Sequence, residues 1–258
     1  MNIVMIGAGN VAVHMAQAFE SAAHRVTAVY SRNIDNATAL ASRLEGKPAV
    51  IDDLSAIVRD ADIYIFSVKD SALPSVFASM PATQGLWAHT AGSVALDAIC
   101  RHHSESGVFY PLQTFSKDRT LDFSSVPLYI EAATPAVRDV LERLARTVST
   151  NVLFCTGDQR LQLHLAAVFA CNFTNHLYAI AQQLLSDHHL PADSLVPLIR
   201  ETAAKVEYVP AHMAQTGPAV REDFATMTKH LDLLKSNPEY QNIYKTLSKS
   251  IIELKNKD

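Results

Sequence analysis

Asn2-Ile3-Val4-Met5-Ile6-Gly7-Ala8-Gly9-Asn10-Val11-Ala12 runs through four apolar residues into two glycines one residue apart, with a small residue three places after the second. A short apolar run bounded by glycine reads as a buried strand, and the Ala-rich pattern at 11–22 has the periodicity of a helix. In a strand-turn-helix setting the G-x-G-x-x-A spacing has a physical purpose. Gly7 permits the tight turn, Gly9 lets a ligand's phosphates approach the backbone, and Ala12 lets helix and strand pack closely. Free N–H groups at the helix start then meet phosphate oxygens. The backbone of Gly7, Ala8, Gly9, Asn10 and Val11 is therefore a candidate cradle for a dinucleotide pyrophosphate, the alternative being a tight turn with no ligand.

Outward from that turn, short runs rich in Val and Ile alternate with helical patterns. Strands are predicted at 2–6, 25–30, 49–51, 63–68, 86–90, 108–110, 128–132 and 152–154, and helices at 11–22, 36–44, 54–58 and 136–148. Thr134 and Pro135 suit the cap and first turn of the last of these. Such alternation is the signature of an α/β fold with a doubly wound parallel sheet, the Rossmann arrangement. Beyond Thr156-Gly157 the strand-like runs stop and helical patterns broken by proline take over. Two domains are expected: a dinucleotide-binding one over 1–154 and an all-helical one over 155–258, ending in an amphipathic helix at 244–258.

Composition limits the rest. Hydrophobic residues make up 48% and charged residues 19% of the 258, enough apolar surface for full cores. With a net charge of -4 and no Lys/Arg run, nucleic acid is not expected as a partner. Cys100, Cys155 and Cys171 lack C-x-x-C spacing and read as reduced and buried. His102-His103 and His188-His189 lack spaced acidic partners, so no metal is expected. The segment before the glycines has neither the basic start nor the cleavage site of a signal peptide, and 161–185 is too polar for lipid and reads as one long helix. A cytoplasmic protein without membrane contact is the expectation.

An NAD site carries Asp or Glu at the end of the second strand to bind the ribose 2′-hydroxyl. Here that position reads Tyr30-Ser31-Arg32-Asn33, with no carboxylate to repel a 2′-phosphate and with a hydroxyl and a guanidinium suited to one. NADP(H) is the predicted cofactor, although Arg32 also reads as a solvated surface residue. Ligands of open α/β sheets sit beyond the carboxyl ends of the strands. Val68, Lys69 and Thr90 are thus further candidates for cofactor binding, and His89 and Gly92 for substrate binding, in the loops Lys69-Asp70-Ser71, His89-Thr90-Ala91-Gly92-Ser93 and Tyr110-Pro111-Leu112-Gln113.

These segments, with Thr114-Phe115, the stretch 164–172 and Thr216-Gly217-Pro218-Ala219-Val220-Arg221-Glu222-Asp223, resemble the 6-phosphogluconate dehydrogenase-like superfamily. Its members include enzymes that reduce pyrroline-5-carboxylate and ketopantoate. More narrowly the chain resembles Rossmann-like NADP oxidoreductases with a C-terminal helical domain of unknown function, 6-phosphogluconate dehydrogenase C-terminal-like in fold. The resemblance implies a hydride-transfer site between the two domains and a homodimer through the helical one. At 3.6 residues per turn His164, Asn172 and Asn175 fall within about 80° on one helix face. His164, with a reference pKa of about 6.5, is the candidate general acid, and Asn172 the residue that orients substrate. Both also read as satisfied helix polar residues. Better-known superfamily members hold this post with Lys and an Asn four residues later, whereas Val168 stands at that spacing from His164. Asn175 is a candidate substrate contact. Arg221 either clamps a substrate carboxylate or pairs with an acid such as Asp223. The expected activity is NADPH-dependent reduction of a small 2-oxo acid, imino acid or related carbonyl compound, the alternative being a non-catalytic NADP(H) sensor.

Overall fold

The computed structural model describes residues 1–255, which divide into two compact units at residues 172 and 173. The first unit is built on eight strands: β1 (Asn2–Ile6), β2 (Arg25–Tyr30), β3 (Ala49–Ile51), β4 (Ile63–Phe66), β5 (Leu86–His89), β6 (Ser106–Pro111), β7 (Leu128–Ala132) and β8 (Val152–Phe154). Helices α1 (Asn10–Ser21), α2 (Ile34–Ala41), α3 (Leu73–Ser79), α4 (Asp97–Cys100) and α5 (Pro135–Val148) connect them, and α6 (Gly157–Ala167) follows the sheet. The order β3-β2-β1-β4-β5-β6-β7-β8 reverses direction after β1, which is the doubly wound topology with its switch point beside the glycine turn.

All eight expected strands are present, and the sheet is parallel except at one step. β6 and β7 pair antiparallel, Tyr110 opposite Tyr129. The chain between them forms only a short 3-10 turn, Phe123–Ser125, and a connection without a crossover helix returns the strand in the opposite direction. The expected helix at 54–58 is likewise a 3-10 turn, Leu54–Ala56, begun by Asp53 accepting from the Ser55 N–H. Alternate residues of β1 feed two cores: Ile3 and Met5 pack with Met15, Phe19 and Leu141, while Val4 and Ile6 pack with Phe66, Phe77 and Trp87. Burial of both faces explains why the strand reads as one apolar run. α5 begins as expected, Thr134 accepting from the Val137 N–H ahead of Pro135. The three cysteines are free but only half-buried, a departure from the buried state expected; Cys155 follows β8, an edge strand whose Leu153 and Phe154 are themselves exposed.

The second unit contains α7 (Thr174–Asp187), α8 (Val196–Lys205), α9 (Phe224–Leu233) and α10 (Pro238–Lys255). Asp223 caps α9, accepting from the Thr226 N–H, and those bonds hold its carboxyl below the usual range. The expected closing helix is α10; residues 256–258 lie outside the described residues. The one long helix expected over 161–185 is helical throughout, but Val168–Phe173 between α6 and α7 is a π-helical stretch. Among the described residues no helix is long and apolar enough to cross a membrane.

Candidate active site

The amino end of α1 is the centre of the site. Gly7 has φ of +119° and a Cβ there would stand 2.2 Å from the Ser67 carbonyl oxygen, so only glycine lets β1 turn this close to the end of β4. Gly9 is the N-cap of α1, with no side-chain cap, no acid in the first turn, and open space where a Cβ would point. Backbone N–H groups are therefore left to a ligand, and an anion is the ligand a helix amino end prefers.

Two cavities border this helix end. One, of about 290 Å³, is lined by Gly7, Ala8, Gly9, Ser31, Arg32, Val68 and Lys69, together with Asn33, Asn36 and Lys117. Its charged lining residues, Arg32, Lys69 and Lys117, are all cations. The second, of about 630 Å³, is lined by Asn10, Val11, Tyr110, Phe115, His164 and Asn172 among others. A phosphate-binding helix end flanked by a cationic recess without carboxylates suits a phosphorylated dinucleotide, so the residues present fit NADP(H).

His164 is held from two sides. Its Nδ1 lies 3.1 Å from the Tyr110 hydroxyl, and its ring rests on Gly92, where a Cβ would come within 2.7 Å of Nδ1. Burial raises the Tyr110 phenol above its ordinary pKa, against the opposing influence of the Arg160 guanidinium. The hydroxyl therefore stays protonated near neutrality, and can donate to an unprotonated Nδ1 or accept from a protonated one. Either way Nε2 is the ring nitrogen left for a ligand.

α6 is fixed upstream of His164. Thr156 and Gln159 form a reciprocal capping box. One turn before His164, Arg160 is 1% exposed, pairs with Glu131 on β7, and donates from Nη2 to the Val94 carbonyl at 2.6 Å. Glu131 also accepts from the Gly157 N–H at 2.9 Å. The buried pair sets the rotation of α6, and a residue four places on shares its face. The π stretch then widens the helix where Cys171 and Asn172 line the cavity; π turns often occur at functional sites.

Of the residues predicted from sequence, Gly7, Ala8, Gly9, Ser31, Arg32, Val68 and Lys69 come together in the first cavity, and Asn10, Val11, His164 and Asn172 in the second. Thr90 and His89 line neither. Thr90 bonds back to the Phe66 carbonyl, and His89 is 0% exposed, its Nδ1 accepting from the Ala91 N–H at 3.2 Å. Burial, helped by Arg160, lowers the His89 pKa to about 3, which keeps the ring neutral. Gly92 is buried beneath His164, a seat for the histidine. Asn175 and Arg221 are exposed residues of the second unit. The expected 3.6-residue phase linking Asn175 to His164 is reset by the π stretch, because each π residue advances less around the axis. In the 216–223 segment it is Glu222, at φ +56°, that forms an ion pair, with Lys255 at 3.0 Å. Sequence reading gave no role to Tyr110, Lys117, Arg160 or Glu131. For Tyr110 a signal existed, its place at the carboxyl end of a strand; for the buried Arg160–Glu131 pair there was none. Among the described residues no group of three His, Cys, Asp or Glu side chains is placed to hold a metal ion.

A doubly wound sheet with its glycine turn at the switch point, and a recess suited to a phosphorylated dinucleotide, define an NADP-dependent oxidoreductase. Residues 2–90 match the family described as NADP oxidoreductase coenzyme F420-dependent, and residues 126–251 match a domain of unknown function, DUF2520. A solved structure from Bacteroides fragilis, described as a "putative NADP oxidoreductase", is 42% identical over 98% of both chains, with a TM-score of 0.93. The chain belongs to this family of NADP oxidoreductases with a DUF2520 carboxyl-terminal domain. An imine reductase from Myxococcus stipitatus in complex with NADP+ shares the fold at 15% identity, covering 100% of this chain and 93% of that one, TM-score 0.65. So does a 1-pyrroline-5-carboxylate reductase from Streptococcus pyogenes, at 11% identity over 98% of both chains, TM-score 0.62. A comparison with curated proteins finds no match.

Proposed function

We propose that the chain is an NADPH-dependent reductase of a small carbonyl or imine compound, such as a 2-oxo acid or imino acid, with His164 as proton donor. The observation that carries this reading is the pairing of Tyr110 and His164 in a cavity that shares the amino end of α1 with the cationic recess. The pyrophosphate is held by the backbone of Gly7 to Val11 and the 2′-phosphate by Ser31 and Arg32, with Val68 and Lys69 completing the recess. When bound, the coenzyme supplies a hydride to the substrate's unsaturated carbon. As the imidazolium, His164 gives a proton from Nε2 to the oxygen or nitrogen that gains charge and is left neutral, its Nδ1–H donating to the Tyr110 hydroxyl so that the ring stays aimed. Asn172 orients the substrate through its amide, and Leu163, Ala166 and Ala167 give the cavity an apolar wall. The imine and pyrroline-5-carboxylate reductases that share the fold make C=N compounds the first class to test.

The protein acts as a homodimer in this reading. The helical unit buries no residue of α7, α8 or α9, and exposes Tyr208 at 83%, Leu233 at 75% and Met213 at 69%. Apolar exposure on that scale is what a second copy would cover.

The test is consumption of NADPH by the full chain across a panel of 2-oxo acids, cyclic imines and imino acids, with His164→Ala in parallel. Turnover of at least one member, lost in the variant with NADPH binding intact, supports the reading. NADPH binding without turnover anywhere in the panel would replace it with a nucleotide-sensing role.

A further inference from the structure

The chain between β6 and β7, residues 112–127, is an irregular segment, yet its middle is tied down at three consecutive carbonyls. Asn10 Nδ2 donates to the Phe115 carbonyl at 2.8 Å, and Arg43 Nη1 to the Lys117 carbonyl at 2.6 Å. His14 Nε2 lies 2.8 Å from the Ser116 carbonyl, and since a carbonyl only accepts, that nitrogen carries the hydrogen. Arg43 also stands 3.7 Å from Asp118. Phe115 is wedged in place, its ring 5.2 Å from that of His14 and 6.1 Å from that of Phe123. Side chains of α1 and of the turn after α2 thus hold this strap, and a long ordered loop fixed in this way usually has a function.

What the strap delivers is Lys117. It is half-buried, and it lines the recess that contains Gly7, Gly9 and Arg32. The pyrophosphate has the helix amides of α1 for partners. A 2′-phosphate carries nearly two charges at neutral pH, and an exposed Arg32 alone would hold it weakly. The anchor nearest Lys117 is Arg43, two residues past α2, whose cap Asn33 and first-turn Asn36 line the same recess beside Arg32.

We infer that Lys117 is a second cationic ligand of the coenzyme's 2′-phosphate and so a determinant of NADPH over NADH, with Asn10, His14 and Arg43 as the positioning residues of its strap. This rests on the NADP(H) assignment of the recess. The coenzymes themselves, and adenosine 2′,5′-bisphosphate against adenosine 5′-monophosphate, are titrated into the full-length wild type, Lys117→Ala, Lys117→Arg, Arg43→Ala and Arg32→Ala, with binding read directly. Lys117→Ala should weaken NADPH and the bisphosphate about tenfold or more, change NADH and the monophosphate less than about twofold, and be largely rescued by Lys117→Arg. Arg43→Ala should show a smaller loss with the same preference, and no loss there would remove it as a positioning residue. Equal losses for both coenzymes in Lys117→Ala, or none for NADPH, would overturn the inference. If Arg32→Ala still abolishes the preference in that case, the recess keeps its assignment and Lys117 alone loses its role; a wild type that binds neither coenzyme overturns both.

Discussion

The Tyr110 hydroxyl and Nδ1 of His164 lie 3.1 Å apart, one at the carboxyl end of β6 and the other on α6, 54 residues further along the chain. The contact leaves one ring nitrogen for substrate and gives the other a partner in either protonation state. Tyr110→Phe should therefore lower kcat by about ten- to a hundredfold while leaving NADPH affinity unchanged, and should move the alkaline limb of the rate profile, along which a proton donor is lost. Steady-state rates across pH, with coenzyme binding measured separately, check this. An unaltered profile would mean that the hydroxyl does not serve the histidine.

Gly92 makes that contact possible. A Cβ at this position would lie 2.7 Å from Nδ1 and 2.8 Å from Cγ of His164, closer than packed atoms come, so Gly92→Ala must push the ring aside. The expected result is a loss of roughly a hundredfold in kcat/KM, the cost typical of a misplaced catalytic group, with the affinity for NADPH retained. Wild-type turnover in the variant would show that the imidazole's position is not critical.

The Arg160–Glu131 pair holds the helix that carries His164. Glu131→Gln would leave a guanidinium of 1% exposure without its counter-charge; with Glu131 itself 19% exposed and an amide oxygen still present to accept, the cost should fall below the roughly 3–5 kcal/mol of a fully buried pair, at about 2 kcal/mol. Urea unfolding of the full chain should register the loss as a lower midpoint with an unchanged slope. A shift no larger than that of an exposed pair such as Arg146–Glu142 would contradict the role given to it here.

His89 is buried and neutral, with its pKa lowered from 6.5 to about 3. In the unfolded chain it takes up a proton below about 6.5, whereas in the folded chain it does so only near 3. The unfolded state thus binds more protons between these values. The stabilising contribution is complete above 6.5 and declines as pH falls towards 3, by about 1.4 kcal/mol per pH unit at most. His89→Asn, which keeps an acceptor for the Ala91 N–H, should show a shallower loss of stability between pH 6 and pH 4 in denaturant titrations. Equal slopes for the two proteins would refute the assignment.

Much of the fold was legible because its signals are local. Continuous apolar runs such as Ile63-Tyr64-Ile65-Phe66 announce strands buried on both faces, and the glycine turn announces the switch point. Less local features were not. The antiparallel β7 depends on what the 112–127 segment fails to form, and the π stretch at Val168–Phe173 has no periodicity signature of its own. The site divides in the same way. Ser31 and Arg32 follow from their place after β2, but His89, chosen by the same strand-end rule, points into the core. Lys117 and Arg160 owe their positions to partners far away in sequence, Arg43 and Glu131, which no spacing rule connects.

If a phosphorylated dinucleotide lies on the amino end of α1 with its 2′-phosphate at Arg32, direct titration of both coenzymes into wild type and Arg32→Ala will show it. The expected result is clear preference of the wild type for NADPH, with the substitution weakening NADPH about tenfold or more and NADH hardly at all. Failure of the wild type to bind either coenzyme, or an equal effect of the substitution on both, would contradict it.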